Sequence, residues 1–217
     1  MADHFEGMYE DRYAVERIRK SVSLLNLKSG MTVLDVGCYK MEPIKYIPKD
    51  VKYAGIDVSD FTPQVTVKDI DGGFSWFEKV DRILCLEVLE HMKYPQGTLK
   101  SIKKVLKDDG IAVISLPNEA TLFHRVRGLF GTVDQECFQE CGKHLHLPSL
   151  AQCRSFLRDY LTIESEAYYS SDGNSSRQSW MQSLLRLVPD WLKQGLADRF
   201  PSLFARGFIF VCKQKIS

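Results

Sequence analysis

Residues 32–58, TVLDVGCYKMEPIKYIPKDVKYAGIDV, decide how the rest of the chain is read. Val33, Leu34 and Val36 make a short apolar run that stops at Gly37, where a backbone without a Cβ lets a ligand come close. A second apolar run ends at Asp57, 20 residues after Gly37. That is the usual place for a carboxylate that takes both ribose hydroxyls. The stretch therefore reads as strand, tight turn, short helix and second strand, the first half of a nucleoside-binding α/β domain.

The turn departs from the full glycine pattern. Of D-x-G-x-G-x-G only Asp35-Val36-Gly37-Cys38 survives, because Tyr39 and Met41 stand at the later glycine places. A dinucleotide needs those glycines to bring its pyrophosphate onto a helix N-terminus. S-adenosylmethionine (SAM) carries no phosphate, and one glycine turn with nearby polar groups can meet its carboxylate and ammonium. The departure favours SAM over NAD.

The flanking sequence continues the alternation of strands and helices. Strands are expected at 32–36, 51–56, 65–68, 82–86 and 111–115, with a helix at 98–107. Ahead of them, residues 9–27 carry Val15, Ile18, Val22 and Leu25 at helical spacing, with Arg12, Glu16, Arg19 and Lys20 on other faces. A second amphipathic helix is expected at 149–159 and a strand at 161–169. Such alternation argues for a parallel doubly wound sheet that binds ligands at the carboxyl ends of its strands.

At 217 residues with a net charge of +1, the chain is long enough for one domain with a sizeable core, and its charge gives no reason to expect nucleic acid as a partner. No apolar run of membrane-spanning length and no charged-then-apolar leader is present, so a cytoplasmic protein is expected. The six cysteines, Cys38, Cys85, Cys137, Cys141, Cys153 and Cys212, are scattered and read as reduced thiols. Cys137, Cys141, His144 and His146 fall within ten residues, but zinc motifs usually show tighter Cys-x-x-Cys spacing. They are read as loop residues near an active site, and no metal is expected.

Residues 82–116, RILCLEVLEHMKYPQGTLKSIKKVLKDDGIAVISL, settle the class by resemblance. The Glu90-His91 pair, the Val105-Leu106-Lys107 and Gly110 turn, and the strand Ile111 to Leu116 resemble the fourth strand, helix and fifth strand of a class I SAM-dependent methyltransferase. Together with GIDVSD at 55–60 and VKDID at 67–71, the resemblance covers roughly residues 10–165. It implies a Rossmann-like doubly wound α/β fold whose mostly parallel seven-stranded sheet closes with an antiparallel C-terminal hairpin, here 161–169 with 206–213. The expected organisation is one domain over 1–217, with an N-terminal helix (10–31), a SAM-binding half (32–116), an acceptor-side segment (117–150) and a helical insertion (170–204). Pro189 and Pro201 should divide that insertion into short helices.

The resemblance also carries site residues. It implies Asp35, Gly37 and Cys38 at the methionine end of SAM, Asp57 and Val58 at the ribose, Asp69 and Ile70 at the adenine, and Leu86 and Glu87 where the fourth strand ends. Methyl transfer needs the two partners aligned, and an oxygen acceptor that keeps its proton at neutral pH also needs a base or a metal. Histidine suits that task. The first candidate is His144, in a loop before a helix that Ser149 should cap, followed by His124 and His91. His124 and Arg125 lie in PNEATLFHRVRG, residues 117–128, which resembles the post-strand segment of methyltransferases of sugar pathways. Asn118 reads as the N-cap there, and Arg125 with Arg127 suits an anionic acceptor such as a phosphate or uronate.

The expected activity is methyl transfer to a small hydroxylated acceptor, a sugar or glycoconjugate. A lipid or isoprenoid head group is the alternative, because Trp180, Leu184, Trp191 and Phe200, with Arg177, Arg186, Lys193, Arg199 and Arg206 outnumbering Asp190 and Asp198, would suit peripheral contact with a membrane. A binding protein that has lost turnover is a third reading, motivated by Tyr39 and Met41. Nucleic-acid methylation is disfavoured, since Leu86 is followed by Glu-Val-Leu-Glu rather than an Asn/Asp-Pro-Pro-aromatic tetrad.

Overall fold

The first helix, α1 (Arg12–Leu24), shows how tightly the core selects its faces. In the computed structural model, which describes residues 12–76, 78–131, 144–170 and 188–215 and leaves aside the side chains of Arg12, Tyr13 and Arg127, the buried stripe of α1 and its exit is Ala14, Arg17, Ile18, Ser21, Val22 and Leu25. That is helical i, i+3, i+4 spacing. Two of the six are polar, and Val15 lies to the side of the stripe.

Seven strands follow in the chain: β1 (Thr32–Val36), β2 (Lys52–Asp57), β3 (Val65–Val67), β4 (Val80–Leu86), β5 (Leu106–Pro117), β6 (Leu161–Ser170) and β7 (Ala205–Gln214). The helices between them are α2 (Pro95–Val105), α3 (Leu122–Leu129), α4 (Leu150–Arg158), α5 (Asp190–Arg199) and α6 (Pro201–Phe204), with short 3-10 turns at Glu42–Tyr46 and Leu89–His91. The strands form one sheet in the order β3-β2-β1-β4-β5-β7-β6. Strands β1 to β5 pair in parallel, and β7 runs antiparallel to both β5 and β6. The expected mostly parallel sheet with an antiparallel C-terminal hairpin is what the chain forms.

Alternation along the central strands assigns the two faces. Val33, Leu84, Leu86, Val113, Ile209 and Val211 pack with Ile18, Val22 and Leu25 on one side. Leu34, Val36, Ile83, Cys85, Ile114 and Phe208 pack with Leu99 and Ile102 of α2 and Leu157 of α4 on the other. Between β1 and β2 the crossover holds only the 3-10 turn, so the carboxyl ends of these strands are covered chiefly by loops.

Two local expectations are corrected. Residues 106–107, expected at the end of the α2 helix, already belong to β5: Leu106 pairs with Val80, and regular pairing resumes at Ile111 with Arg82, leaving an irregularity between. The physical reason is burial, since the Leu106 side chain is fully enclosed in the core while Asp108 and Asp109 reach solvent. Asn118 does not cap α3. The helix starts at Leu122, and the Thr121 Oγ1 accepts from the His124 N–H at 3.5 Å, while the buried Asn118 amide accepts from Ala120 N and donates to the Ala205 carbonyl at 2.7 Å. Ser149 does cap α4, reciprocally with Gln152. In the insertion, Ala197 of α5 joins the core, but Trp191 is 74% exposed. Residues 171–187, which include Trp180 and Leu184, lie outside the described residues.

Gly207 fixes where β7 meets its neighbours. It lies opposite Pro117 on β5 and Tyr169 on β6, and a Cβ there would stand 1.9 Å from the Tyr169 hydroxyl and 3.0 Å from the Leu116 carbonyl. Tyr169 is buried and cannot swing aside. Gly207→Ala is therefore expected to destabilise the fold by about 3 kcal/mol or more in denaturant titration, as overpacking at a rigid site does. A loss below about 1 kcal/mol would show that the contact yields.

Candidate active site

The turn after β1 keeps the shape that glycines normally provide. Gly37 has φ 75°, and Tyr39 and Met41, at the missing glycine places, also take left-handed values of 44° and 58°. Left-handed backbone costs a residue with a Cβ roughly 1–2 kcal/mol. Packing and one strong hydrogen bond offset it. The Tyr39 N–H donates to Asp57 Oδ2 at 2.8 Å, its ring meets Phe61 at 4.5 Å, and Met41 is buried with Cys38 and Val65. Gly37 has a second reason to lack a side chain, since its Cβ would come within 2.4 Å of Val88.

Asp57 sits at the carboxyl end of β2 and binds the next turn as well, its Oδ1 accepting from Val58 N at 2.7 Å. Burial pushes this carboxyl up, and the amides of Tyr39, Val58 and Ser59 pull it back. Beside it Val58 and Asp69 are exposed, and Ile70 is buried, its carbonyl accepting from Thr98 Oγ1 at 2.7 Å. All the carried-over residues from Asp35 to Glu87 thus stand on or next to the carboxyl ends of β1 to β4.

Asp35, in β1, is buried and accepts from the Tyr53 hydroxyl. Burial pushes its carboxyl up to about 7, the Tyr53 hydrogen bond opposes this, and the charge of Asp57 adds to it. The groups around it are Tyr53 and Asp57 from β2 and, lining the same small cavity, Arg17 from α1 and Cys38. Because the folded pKa is raised, the folded state holds its proton while the unfolded chain releases it. Stability is fully present below about pH 4 and falls as pH rises through about 7. Asp35→Asn should remove that loss, gaining stability relative to the native protein by roughly 2–4 kcal/mol at pH 8 and little at pH 4. Thermal unfolding across this range checks it, and a pH-independent difference would contradict it.

Glu87, at the end of β4, also has a left-handed backbone, φ 57°. Its Oε1 accepts from Ser115 Oγ at 3.1 Å and Tyr169 Oη at 3.2 Å, and its Oε2 lies 3.3 Å from Arg17. Arg17 escaped the sequence reading because arginines on a helix usually face solvent. The readable signal is its place, with Ser21, within the apolar stripe of α1.

A second cluster occupies the turn after β4. Glu90 is 1% exposed, and among the described residues neither carboxylate oxygen has a hydrogen-bond partner. Burial and then the charge of Glu87 push its pKa well up. Its Oε1 lies 3.9 Å from His91 Nε2 and 4.0 Å from His144 Nε2, and the two rings meet edge to face at 4.8 Å. The loop carrying His144 is clamped here, since the N–H groups of Leu145 and His146 donate to the Glu90 carbonyl and His146 Nε2 donates to Met92 O at 2.8 Å.

Glu119 completes the cluster and was not foreseen. Its Oε1 accepts from His144 Nδ1 at 2.9 Å. Burial alone would raise the Glu119 pKa, but the His144 bond and the charges of His144, His124 and Arg206 outweigh it and hold the carboxyl low. His124 itself bonds to Thr121 through Nδ1 at 2.8 Å. Arg125 is tied to backbone, donating to the carbonyls of Ala120 and Ser202. The Arg127 side chain and Cys137 and Cys141 lie outside the description, while Cys38, Cys85, Cys153 and Cys212 are buried free thiols.

A hollow of about 350 Å³ near α1, lined by Arg19, Leu27 and Tyr46, contains none of these groups. No helix among the described residues is long and apolar enough to cross a membrane.

Comparison with known proteins bears on the fold and the family. Over 69 residues the chain is 39% identical to the ubiquinone biosynthesis O-methyltransferase of Glaesserella parasuis serovar 5 (strain SH0165); the match takes in 32% of this chain and spans only 26% of that enzyme. In fold it is similar to the N-methyltransferase NodS of Bradyrhizobium japonicum WM9 in complex with S-adenosyl-L-homocysteine, with TM-score 0.60 at 14% identity over 99% of this chain and 94% of that one. A SAM-dependent methyltransferase from Archaeoglobus fulgidus gives TM-score 0.60 at 15% identity over 98% and 100%. The [4+2]-cyclase SpnF gives 0.59 at 17% identity over 95% and 83%. At such identities these likenesses concern the fold, but a methyltransferase-domain family model matches residues 9–160 directly. With that match over more than half its length, the chain belongs to the class I methyltransferases, enzymes whose cofactor is S-adenosylmethionine.

Proposed function

We propose that this enzyme methylates an oxygen of a small hydroxylated acceptor, a sugar or glycoconjugate hydroxyl, with His144 as the base. The observation that carries the reading is the 2.9 Å bond between His144 Nδ1 and Glu119. A carboxylate at Nδ1 fixes the tautomer, so the lone pair of His144 lies on Nε2 and is available for a proton. Glu119 also stabilises the imidazolium that results. Such support matters only for an acceptor that must lose a proton, as a hydroxyl does.

The residues at the strand ends suit the cofactor chemically. SAM supplies an electrophilic methyl group on a sulfonium. Asp57 would accept from the ribose hydroxyls, and Asp69 with the Ile70 backbone would read the adenine edge. Arg17 suits the carboxylate of the methionine end, and Asp35 and Glu87 its ammonium. Between Arg17, Asp35, Gly37, Pro43 and Leu86 there is a cavity of only about 10 Å³, room for roughly one water. The methionine end would lie here, beside the Arg17–Glu87 pair.

A lipid-linked acceptor is the second reading, and surface chemistry favours it. Leu129, Phe130 and Trp191 are 84%, 80% and 74% exposed, and α3 packs against α6, next to the insertion. An apolar surface with neighbouring arginines suits peripheral contact with a membrane. The partial match to a ubiquinone biosynthesis O-methyltransferase also points to an oxygen and an isoprenoid-bearing substrate.

Incubation with methyl-labelled SAM and a panel of sugars, uronates, polyprenyl phenols and amines tests both readings. Label in an alkali-stable ether of a sugar is the expected result. Label only in polyprenyl phenols would select the second reading. Label only on nitrogen would overturn the oxygen assignment.

A further inference from the structure

Glu90 is a carboxylate with no exposed side-chain surface and, among the described residues, no hydrogen bond to either oxygen; it faces two histidine nitrogens. We propose that Glu90, His91 and His144 form a binding site for a divalent transition-metal cation, oriented from behind by Glu119.

The donor chemistry is that of such a site. Two imidazoles and one carboxylate are a common first set for zinc and other divalent first-row metals, with further positions left open. The three donor atoms lie within 4.8 Å of one another. With Glu90 Oε1 at 3.9 and 4.0 Å from the two Nε2 atoms, the point equidistant from the three is about 2.5 Å from each, and inward side-chain rotations approach the ~2.0–2.2 Å of zinc–nitrogen and zinc–oxygen bonds.

Glu119 supplies the supporting contact that metal-binding histidines characteristically make. A ligating imidazole usually donates its other N–H to a carboxylate, which sets ring orientation and strengthens the ligand. His144 does so at 2.9 Å, leaving Nε2 directed to the side of Glu90. A cation at this place would also offset the burial of the Glu90 carboxylate and the charge of Glu87 beside it, which the more distant Arg17 only partly balances.

The catalytic use of the site rests on the oxygen-acceptor reading. A hydroxyl bound to the cation loses its proton to water more readily, so in the metal-loaded protein the cation takes over the task that His144 performs as base in the metal-free one. Binding itself involves no acceptor, so the site and that reading can fail separately.

The test is titration of the purified chain with Co²⁺ alone, followed by calorimetry and visible absorption. One equivalent should bind, with the ligand-field bands of a nitrogen and oxygen site and no thiolate-to-cobalt charge transfer. Glu90→Gln, which keeps the side-chain volume, and His144→Ala should each weaken binding at least 10-fold, and Glu119→Gln about 10- to 100-fold. Asp108→Asn, on the surface, should leave it unchanged. Absence of stoichiometric binding by the folded protein would overturn the proposal. So would a thiolate band, or equal affinity in Glu90→Gln.

Discussion

Asp57→Ala is expected to weaken SAM binding by about 100-fold or more. Two hydrogen bonds from ribose hydroxyls to an ionised carboxylate are each worth roughly 1.5–3 kcal/mol, and every 1.4 kcal/mol is tenfold in affinity. The substitution acts a second way. Asp57 holds the left-handed Tyr39 through its N–H at 2.8 Å and Val58 at 2.7 Å, so its removal loosens the turn beside the methionine end. Asp57→Asn keeps one acceptor oxygen and should fall between alanine and the native residue. Calorimetry at equal protein foldedness checks the series, and unchanged affinity in Asp57→Ala would move the ribose elsewhere.

His144→Ala should lower turnover on an oxygen acceptor by about 10²- to 10⁴-fold, the usual contribution of a positioned proton acceptor, while leaving SAM affinity within about twofold. Glu119→Gln keeps a hydrogen-bond acceptor at Nδ1 but removes the charge, so turnover should drop by about tenfold or more with the substrate KM little changed. His124→Ala should have the smaller effect, because that ring is engaged with Thr121 inside its own helix start. Full activity in both His144→Ala and Glu119→Gln would remove the base assignment.

The strands were readable because parallel strands covered on both faces give near-continuous apolar runs, and the place of Asp57 at the end of β2 was readable from its distance to Gly37. What escaped was set by tertiary contact. Glu119 gains its role from a loop 25 positions away in sequence, and no local pattern marks it. Tyr39 and Met41 raised doubt about the turn, yet the chain keeps its left-handed form through Asp57, Phe61 and the Cys38–Met41–Val65 packing. The Val105-Leu106-Lys107 and Gly110 turn reads as a helix end, but burial of the Leu106 side chain draws it into β5. Arg17 and Ser21 carried a legible signal, two polar residues inside an apolar stripe, which the spacing of the apolar residues alone does not reveal.

Cofactor binding at the carboxyl ends of β1 and β2, with Arg17 at the methionine end, underlies the proposed chemistry. Calorimetric titration of the native chain and of Arg17→Ala with SAM and with 5′-methylthioadenosine, which lacks the amino-acid end, measures this. Micromolar binding of SAM that Arg17→Ala weakens at least 10-fold, with methylthioadenosine unaffected, is the predicted result. No binding of SAM by the folded native chain, or an equal loss for both ligands, would contradict it.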